Sequence, residues 1–182
     1  MALMHSKGMP IGTPAPPFTL PGVHGKMHSL DSFADAEVLV VVFTCNHCPY
    51  AKASEDRLIQ LQKDYKDRGV RFVAINPNDD EKYPDDSFEK MKERAESKGF
   101  NFPYLRDESQ AIARAYDAAC TPDIFVFDRD RKLIYNGRID DNWQQPDQVT
   151  RQDLREVLDA ALEGRKVDFE HVPSMGCSIK WK

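Results

Sequence analysis

"VLVVVFTCNHCPYAKASEDRL", Val38 to Leu58, sets six apolar residues ahead of a pair of cysteines and a polar, periodic segment behind them. Val38 to Phe43 is continuously apolar, mostly β-branched and too short for most helices, which predicts a strand buried on both faces at the centre of a sheet. Past the cysteines, Ala51, Ser54, Leu58, Leu61 and Tyr65 recur at offsets of 3, 4, 3 and 4. They trace one stripe of a helix that begins at or just after the pair and ends at Gly69. Cys45 and Cys48 therefore fall at a strand-to-helix junction. There the unpaired N–H groups and the positive dipole end of the helix stabilise a thiolate, and the second thiol lies near enough to close a disulfide. His47, when protonated, favours the thiolate further and makes the disulfide more oxidising. Pro49 occupies the first turn, where a helix tolerates proline.

Outward from this junction, "VRFVAIN" reads as a second strand and "DDSFEKMKERAESKG" as a helix. Asp86 is its expected N-cap, Phe88, Met91 and Ala95 its inward face, and Gly99 its stop. Strand, helix, strand, helix implies parallel pairing through a right-handed crossover. "ESQAIARAYDAA" is a further short helix, and "IFVFDRDRKLIYNG" a hairpin turning over Asp128 to Lys132. A last helix is expected from Thr150, with a capping box to Asp153, an apolar face of Leu154, Val157, Leu158, Ala161 and Leu162, and a stop at Gly164. Residues 10 to 22 carry five prolines, which excludes a helix and predicts an extended lead-in. "FTLPGVHGKMHSL" then forms a small hairpin around Gly22 to Gly25. "RKVDFEHVPSMGCSIKWK" has neither period, so it is a tail that must dock or wander.

The 182 residues suit one domain, 1–182, and a net charge of −5, with 25 Lys and Arg dispersed among 30 Asp and Glu, lacks the basic footprint of a nucleic-acid binder. No apolar stretch approaches the roughly 20 residues that cross a bilayer. The N-terminus also lacks the apolar core, about 7 to 15 residues, of a signal peptide. A cytoplasmic address without membrane contact is the expectation, and in a reducing cytosol closely spaced cysteines serve catalysis, redox sensing or metal binding. A structural zinc site needs a second ligand pair, and neither Cys120 nor Cys177 opens another Cys-x-x-Cys. The run "NPNDDEKYPDD" matches no calcium loop and reads as a solvated loop. His24, His28 and His171 read as surface residues, and Trp143 either rims a site or caps the core edge.

The order of strand, Cys-x-x-Cys, helix, strand, helix, Thr-Pro, hairpin and final helix resembles the thioredoxin fold over most of the chain. "IGTPAPPFTLPGVHGKMHSLDSF" is similar to the N-terminal extension of peroxiredoxins and related reductases. With "TCNHCPYAKA", "CTPDIFVFD" and "PSMGCSIKW", the chain resembles bacterial peroxiredoxin-like proteins, related to alkyl hydroperoxide reductase and thiol-specific antioxidant, that carry a thioredoxin-type Cys-x-x-Cys. The resemblance implies an α/β, thioredoxin-like fold. Its central mixed sheet is flanked by helices, with an N-terminal β-hairpin extension over 1–33 and a C-terminal tail over 165–182. It also implies a thiol–disulfide oxidoreductase without a cofactor or metal, in which Cys45 attacks and Cys48 resolves. Pro122 matches the cis-proline that faces the active-site disulfide, which leaves the Thr121 backbone free to pair with an extended partner.

The departures from that pattern are specific. Thr44 replaces the usual Trp, Asn46-His47 replaces Gly-Pro, as in more oxidising members, and Leu39 stands where thioredoxins keep a buried acid, leaving proton transfer without a named base. Cys45 also stands where a peroxiredoxin places the Thr three positions before its peroxidatic cysteine, and "CTPDIF" lacks the expected arginine. Without these donors, peroxide attack loses electrostatic support. A hydroperoxide substrate, with Cys48 as the peroxidatic thiol and Cys45 or Cys177 resolving it, is thus the first alternative. A copper- or other metal-binding thioredoxin-fold protein is the second, although copper-delivery relatives space their cysteines one residue further apart. The expected partner is a protein or low-molecular-weight disulfide or thiol. Cys120, beside Thr121-Pro122, reads as an accessory thiol or a plain buried cysteine, and Cys177 as a resolving thiol in an exposed tail or a docked, inert one.

Overall fold

Val38–Phe43 forms a fully buried strand at the centre of the main sheet in the computed structural model, which describes residues 2–182. In chain order the strands are β1 (Leu3–His5), β2 (Thr19–Pro21), β3 (Met27–Ser29), β4 (Val38–Phe43), β5 (Val70–Asn76), β6 (Tyr104–Arg106), β7 (Cys120–Thr121), β8 (Asp123–Phe127), β9 (Leu133–Asn136) and β10 (Met175–Ser178). The α-helices are α1 (Pro49–Tyr65), α2 (Phe88–Lys98), α3 (Ala111–Ala115) and α4 (Asp153–Leu162). The main sheet runs β6-β5-β4-β8-β9, with β4, β5 and β6 parallel and β8 and β9 antiparallel, a mixed sheet.

Alternation along β4 sorts the core into two layers, because successive side chains of a strand point to opposite faces. Val38, Val40 and Val42 pack with Leu58, Leu61 and Tyr65 of α1, Met91 and Ala95 of α2, and Leu154, Val157 and Leu158 of α4. Leu39, Val41 and Phe43 pack with Ala113 of α3, Tyr116, and Phe18, Leu20 and Phe33 of the N-terminal segment. Both faces are covered, as a continuous apolar strand requires. Gly69 ends the first helical segment, after a 3-10 turn, with a left-handed φ of 85°, a conformation that suits glycine.

The hairpins β2–β3 and β8–β9 stand where expected. The extension over 1–33 begins at Met1, which lies outside the described residues. The extension contributes more than a hairpin, because β1 pairs with β10. Other local expectations are corrected. Thr150 does not cap α4. The helix starts at Asp153 behind Gln152, while the Thr150 N–H and hydroxyl both donate to the Asp141 carboxylate. Asp153 turns inward to Arg138, 3.0 Å away. Phe88 faces outward at 39% exposure, whereas Met91 and Ala95 are buried. The cap of α2 is Ser87, whose hydroxyl accepts the Lys90 N–H at 3.3 Å, so Asp86 is released for another role. The acidic run is not wholly solvated: Asn76, Asn78, Asp79 and Asp86 are buried. The tail docks, with Met175–Ser178 adding a strand between β1 and β7.

Candidate active site

The site lies where β4 hands over to α1. Cys45 stands two residues past β4, and Cys48 is the N-cap of α1 with extended backbone, φ −73° and ψ 127°, so that Pro49 opens the helix. Across from them lies β7, whose Thr121–Pro122 bond is cis. The Cys45 sulfur lies 3.3 Å from the Thr121 hydroxyl, and the Cys48 sulfur 3.3 Å from the Thr121 carbonyl oxygen. Cys45, Cys48, Thr121 and Pro122 therefore converge.

A buried acid meets this junction from the β5–α2 loop. Asp86 is fully buried and accepts four hydrogen bonds: from the Asn46 N–H at 2.7 Å, the Asn76 and Asn78 side-chain amides at 3.1 and 3.0 Å, and His47 Nδ1 at 2.5 Å. Burial alone would raise its pKa. The hydrogen bonds from His47, Asn46 and Asn78 prevail and hold it below the usual carboxylate value. Tyr104 donates to the Asn46 side-chain oxygen at 2.7 Å. The His47 ring stacks on Tyr83, centroids 5.4 Å apart. Its Nε2 is buried without a hydrogen-bond partner among the described residues. Leu39 does replace the usual buried acid, but the chain supplies Asp86 from a different element.

The two sulfurs sit in opposite fields. Hydrogen bonding to Cys48, burial and the Asp86 charge all push the Cys45 thiol well up. Cys48 is drawn down to about 4, chiefly by the hydrogen bond from Cys45, and also by Cys177 and the Ala51 N–H in the first turn of α1, against the opposing effect of burial. The Thr121 carbonyl accepts a hydrogen bond from Cys48 only in its thiol form, and the several donors around the sulfur outweigh that single contact. The two sulfurs are thus shifted in opposite directions, up at Cys45 and down at Cys48.

Cys120 is buried against the carbonyls of Pro122 and Ser174, 3.6 and 3.8 Å from its sulfur, and burial pushes its thiol up. Cys177 is buried as well, 3% exposed, and clusters with Cys45, Cys48 and Ala51. Its thiol is pushed up to about 12 by burial and its hydrogen bond to Cys48. The Thr121 backbone is not free for a partner, because β10 already pairs with it. Trp143 rims a cavity of about 250 Å³ beside Pro122, its ring tilted 37° against Tyr50 with centroids 4.1 Å apart. Cys45, His47 and Asp86 each place a potential metal ligand atom within 4.8 Å of the others. Each oxygen of the Asp86 carboxylate already takes two hydrogen bonds, which an ion bound there would have to displace.

The chain matches the Redoxin family over residues 10–158. It belongs to the redoxin family. Among solved structures, an uncharacterized conserved protein from Geobacillus kaustophilus is 49% identical, with a TM-score of 0.96 over 100% of this chain and 97% of that one. A hypothetical protein from Sinorhizobium meliloti is 41% identical, with a TM-score of 0.93 over 98% of each chain. The thiol-disulfide oxidoreductase ResA of Bacillus thuringiensis is 25% identical over 126 residues, 69% of this chain and 68% of that relative.

Sequence reasoning on this redoxin located both cysteines and the Thr-Pro. It missed Asp86, Asn76, Asn78 and Tyr104, which reach the pair only through tertiary contacts. The one local signal was Ser87: as a competent cap directly after Asp86, it freed the acid from capping.

Proposed function

We propose that Cys45 and Cys48 are the redox pair through which this enzyme exchanges electrons with a partner disulfide. The observation that carries the reading is the geometry, two buried cysteines at the N-terminus of α1 whose sulfurs each lie 3.3 Å from Thr121 of a cis Thr121–Pro122. Family membership and the likeness to a thiol-disulfide oxidoreductase support it.

The thiolate, held by Cys48 in the reduced state, opens the partner's S–S bond and forms a mixed disulfide, releasing one partner thiolate. The Cys45 sulfur then attacks Cys48. The intramolecular bond forms, the second partner thiolate leaves, and the partner has gained two electrons. This order reverses the one that resemblance implies, because hydrogen bonding to Cys48, burial and the Asp86 charge all disfavour an anion on Cys45. The Asp86–His47 pair, with ligand-capable atoms within 4.8 Å of Cys45, takes the proton that Cys45 must lose. The cavity beside Pro122, walled by Tyr50 and Trp143, receives an apolar side chain of the partner.

The reading is tested by reduction of a protein disulfide. Cys45→Ser and Cys48→Ser each lose turnover, and Cys45→Ser accumulates a mixed disulfide on Cys48. A Cys45→Ser enzyme as fast as the parent removes the reading, and a mixed disulfide trapped on Cys45 in Cys48→Ser restores the opposite order. A hydroperoxide substrate is the second reading, favoured by the lowered pKa of Cys48. Stopped-flow mixing with peroxide eliminates it if the thiol reacts no faster than free cysteine.

A further inference from the structure

The edge of β7 that an extended partner would occupy is filled by the chain's own C-terminal strand. β10 runs antiparallel to β7, with Cys177 opposite Thr121 and Ser178 opposite Cys120. The approach is unusually close at the residue before the cysteine. A Cβ on Gly176 would lie 2.0 Å from the Thr121 carbonyl oxygen and 2.6 Å from its carbon, so only glycine lets the strand sit there. Further contacts anchor the strand. The Ile179 N–H donates to Ala119 at 3.3 Å, the Lys180 N–H to the Asn78 side chain at 2.9 Å, and the Asp79 N–H to the Lys180 carbonyl at 2.8 Å. Arg114 lies over the Trp181 ring, 4.3 Å from its centroid. Asn78 also donates to Asp86, so the tail and the buried acid share one hydrogen-bond network.

This placement delivers a third sulfur to the pair. Cys45, Cys48 and Cys177 pack in one buried cluster, and Thr121, the residue paired with Cys177, places its carbonyl oxygen 3.3 Å from the Cys48 sulfur. All three are covered, at 2%, 0% and 3% exposure for Cys45, Cys48 and Cys177.

We propose that β10 stands in for a partner strand and that Cys177 is a third redox thiol, exchanging with the Cys45–Cys48 disulfide to form a Cys48–Cys177 disulfide. The step rests on the reading of Cys45 and Cys48 as the redox pair. Cys177, having given up its proton, attacks the Cys48 sulfur. The Cys48–Cys177 bond forms, the Cys45–Cys48 bond breaks, and Cys45 leaves as a thiolate that takes up the proton. One disulfide replaces another, so no outside oxidant is consumed. The exchange moves the oxidised position onto the C-terminal strand, returns Cys45 to the thiol state and ties β10 covalently to the site.

The test is disulfide mapping of the full-length protein after stoichiometric oxidation with diamide, with acid quenching, alkylation of remaining thiols and peptide mass spectrometry. Cys177→Ser is expected to form Cys45–Cys48 alone. Cys45→Ser is expected to form Cys48–Cys177 alone, and the parent to contain the Cys48–Cys177 peptide. A Cys177 that is fully alkylated in both the parent and Cys45→Ser, while Cys177→Ser still forms Cys45–Cys48, overturns the relay and leaves the redox pair intact. A Cys177→Ser protein that forms no Cys45–Cys48 disulfide removes the redox-pair reading, and the relay falls with it.

Discussion

The two flanks of the cysteine pair are built from opposite chemistry. On the Cys45 side, the β5–α2 loop brings in a buried carboxylate satisfied by Asn46, His47, Asn76 and Asn78. On the Cys48 side, the first turn of α1 and the docked β10 bring in N–H groups and a thiol. The first flank raises its sulfur's pKa and the second lowers its own, although the residues stand only three apart in sequence. The hydrogen bond between the two cysteines contributes most to this split, and the partners on each flank, Asp86 on one side and Cys177 and Ala51 on the other, add to it.

Loss of either sulfur breaks the comparison most completely. Cys45→Ser and Cys48→Ser should each bring disulfide turnover down to the rate of the uncatalysed reaction, read by a standard protein-disulfide reduction assay. Next comes the acid flank. Asp86→Asn sets an amide against four donors and leaves His47 without its anion. That costs about 3 kcal/mol, as for other broken buried pairs, measured by urea unfolding of the reduced protein. The same change should lower the pKa of Cys45, since Asp86 is among the groups that raise it.

On the other flank, Gly176→Ala forces β10 off Thr121. An overpacking cost of about 1 to 3 kcal/mol favours the open strand by roughly 5- to 150-fold. Alkylation of Cys48 should quicken by a similar factor.

The opposite shifts of the two thiols give a pH dependence whose sign can be worked out. Cys48 has a folded pKa of about 4 against an ordinary 9.0, so its contribution is present above 9.0 and is lost as pH falls through about 4. Cys45 is raised, so its contribution is present below its ordinary value and is lost as pH rises through its folded value. The stability of the reduced protein should therefore climb with pH between about 4 and 9.0 relative to the disulfide form, in which neither sulfur titrates. Equal slopes for the two forms would show that the pair carries no perturbed proton. Cys45→Ala, which deletes the leading donor to Cys48, should move the thiolate ultraviolet titration of Cys48 upward.

Much of this arrangement was legible before the structure, for a physical reason. Val38–Phe43 carries its own fold signal, and the stripe from Ala51 to Tyr65 is a local periodicity, so both could be read within one segment. The Thr121–Pro122 match came through order along the chain. Met175–Ser178 has no readable period, since Gly176 contributes no side chain, and its strand exists only because β1 and β7 flank it. The acidic loop looked solvated because buried polar residues betray themselves only through partners distant in sequence. Phe88 misled in the other direction, its apolar side chain standing outside α2. Phe88→Ala is accordingly the smallest effect expected, within about 0.5 kcal/mol, whereas Met91→Ala should cost about 2 to 5 kcal/mol. Both are read from the same denaturant titration.

The most direct test of the redox pair is equilibration of the full-length protein across a series of glutathione redox buffers, with the Cys45–Cys48 disulfide counted by mass mapping in Cys177→Ser. The account predicts a reversible two-electron transition between dithiol and disulfide that either further substitution, at Cys45 or at Cys48, abolishes. A pair that stays reduced in every buffer, or forms only glutathione adducts, contradicts it.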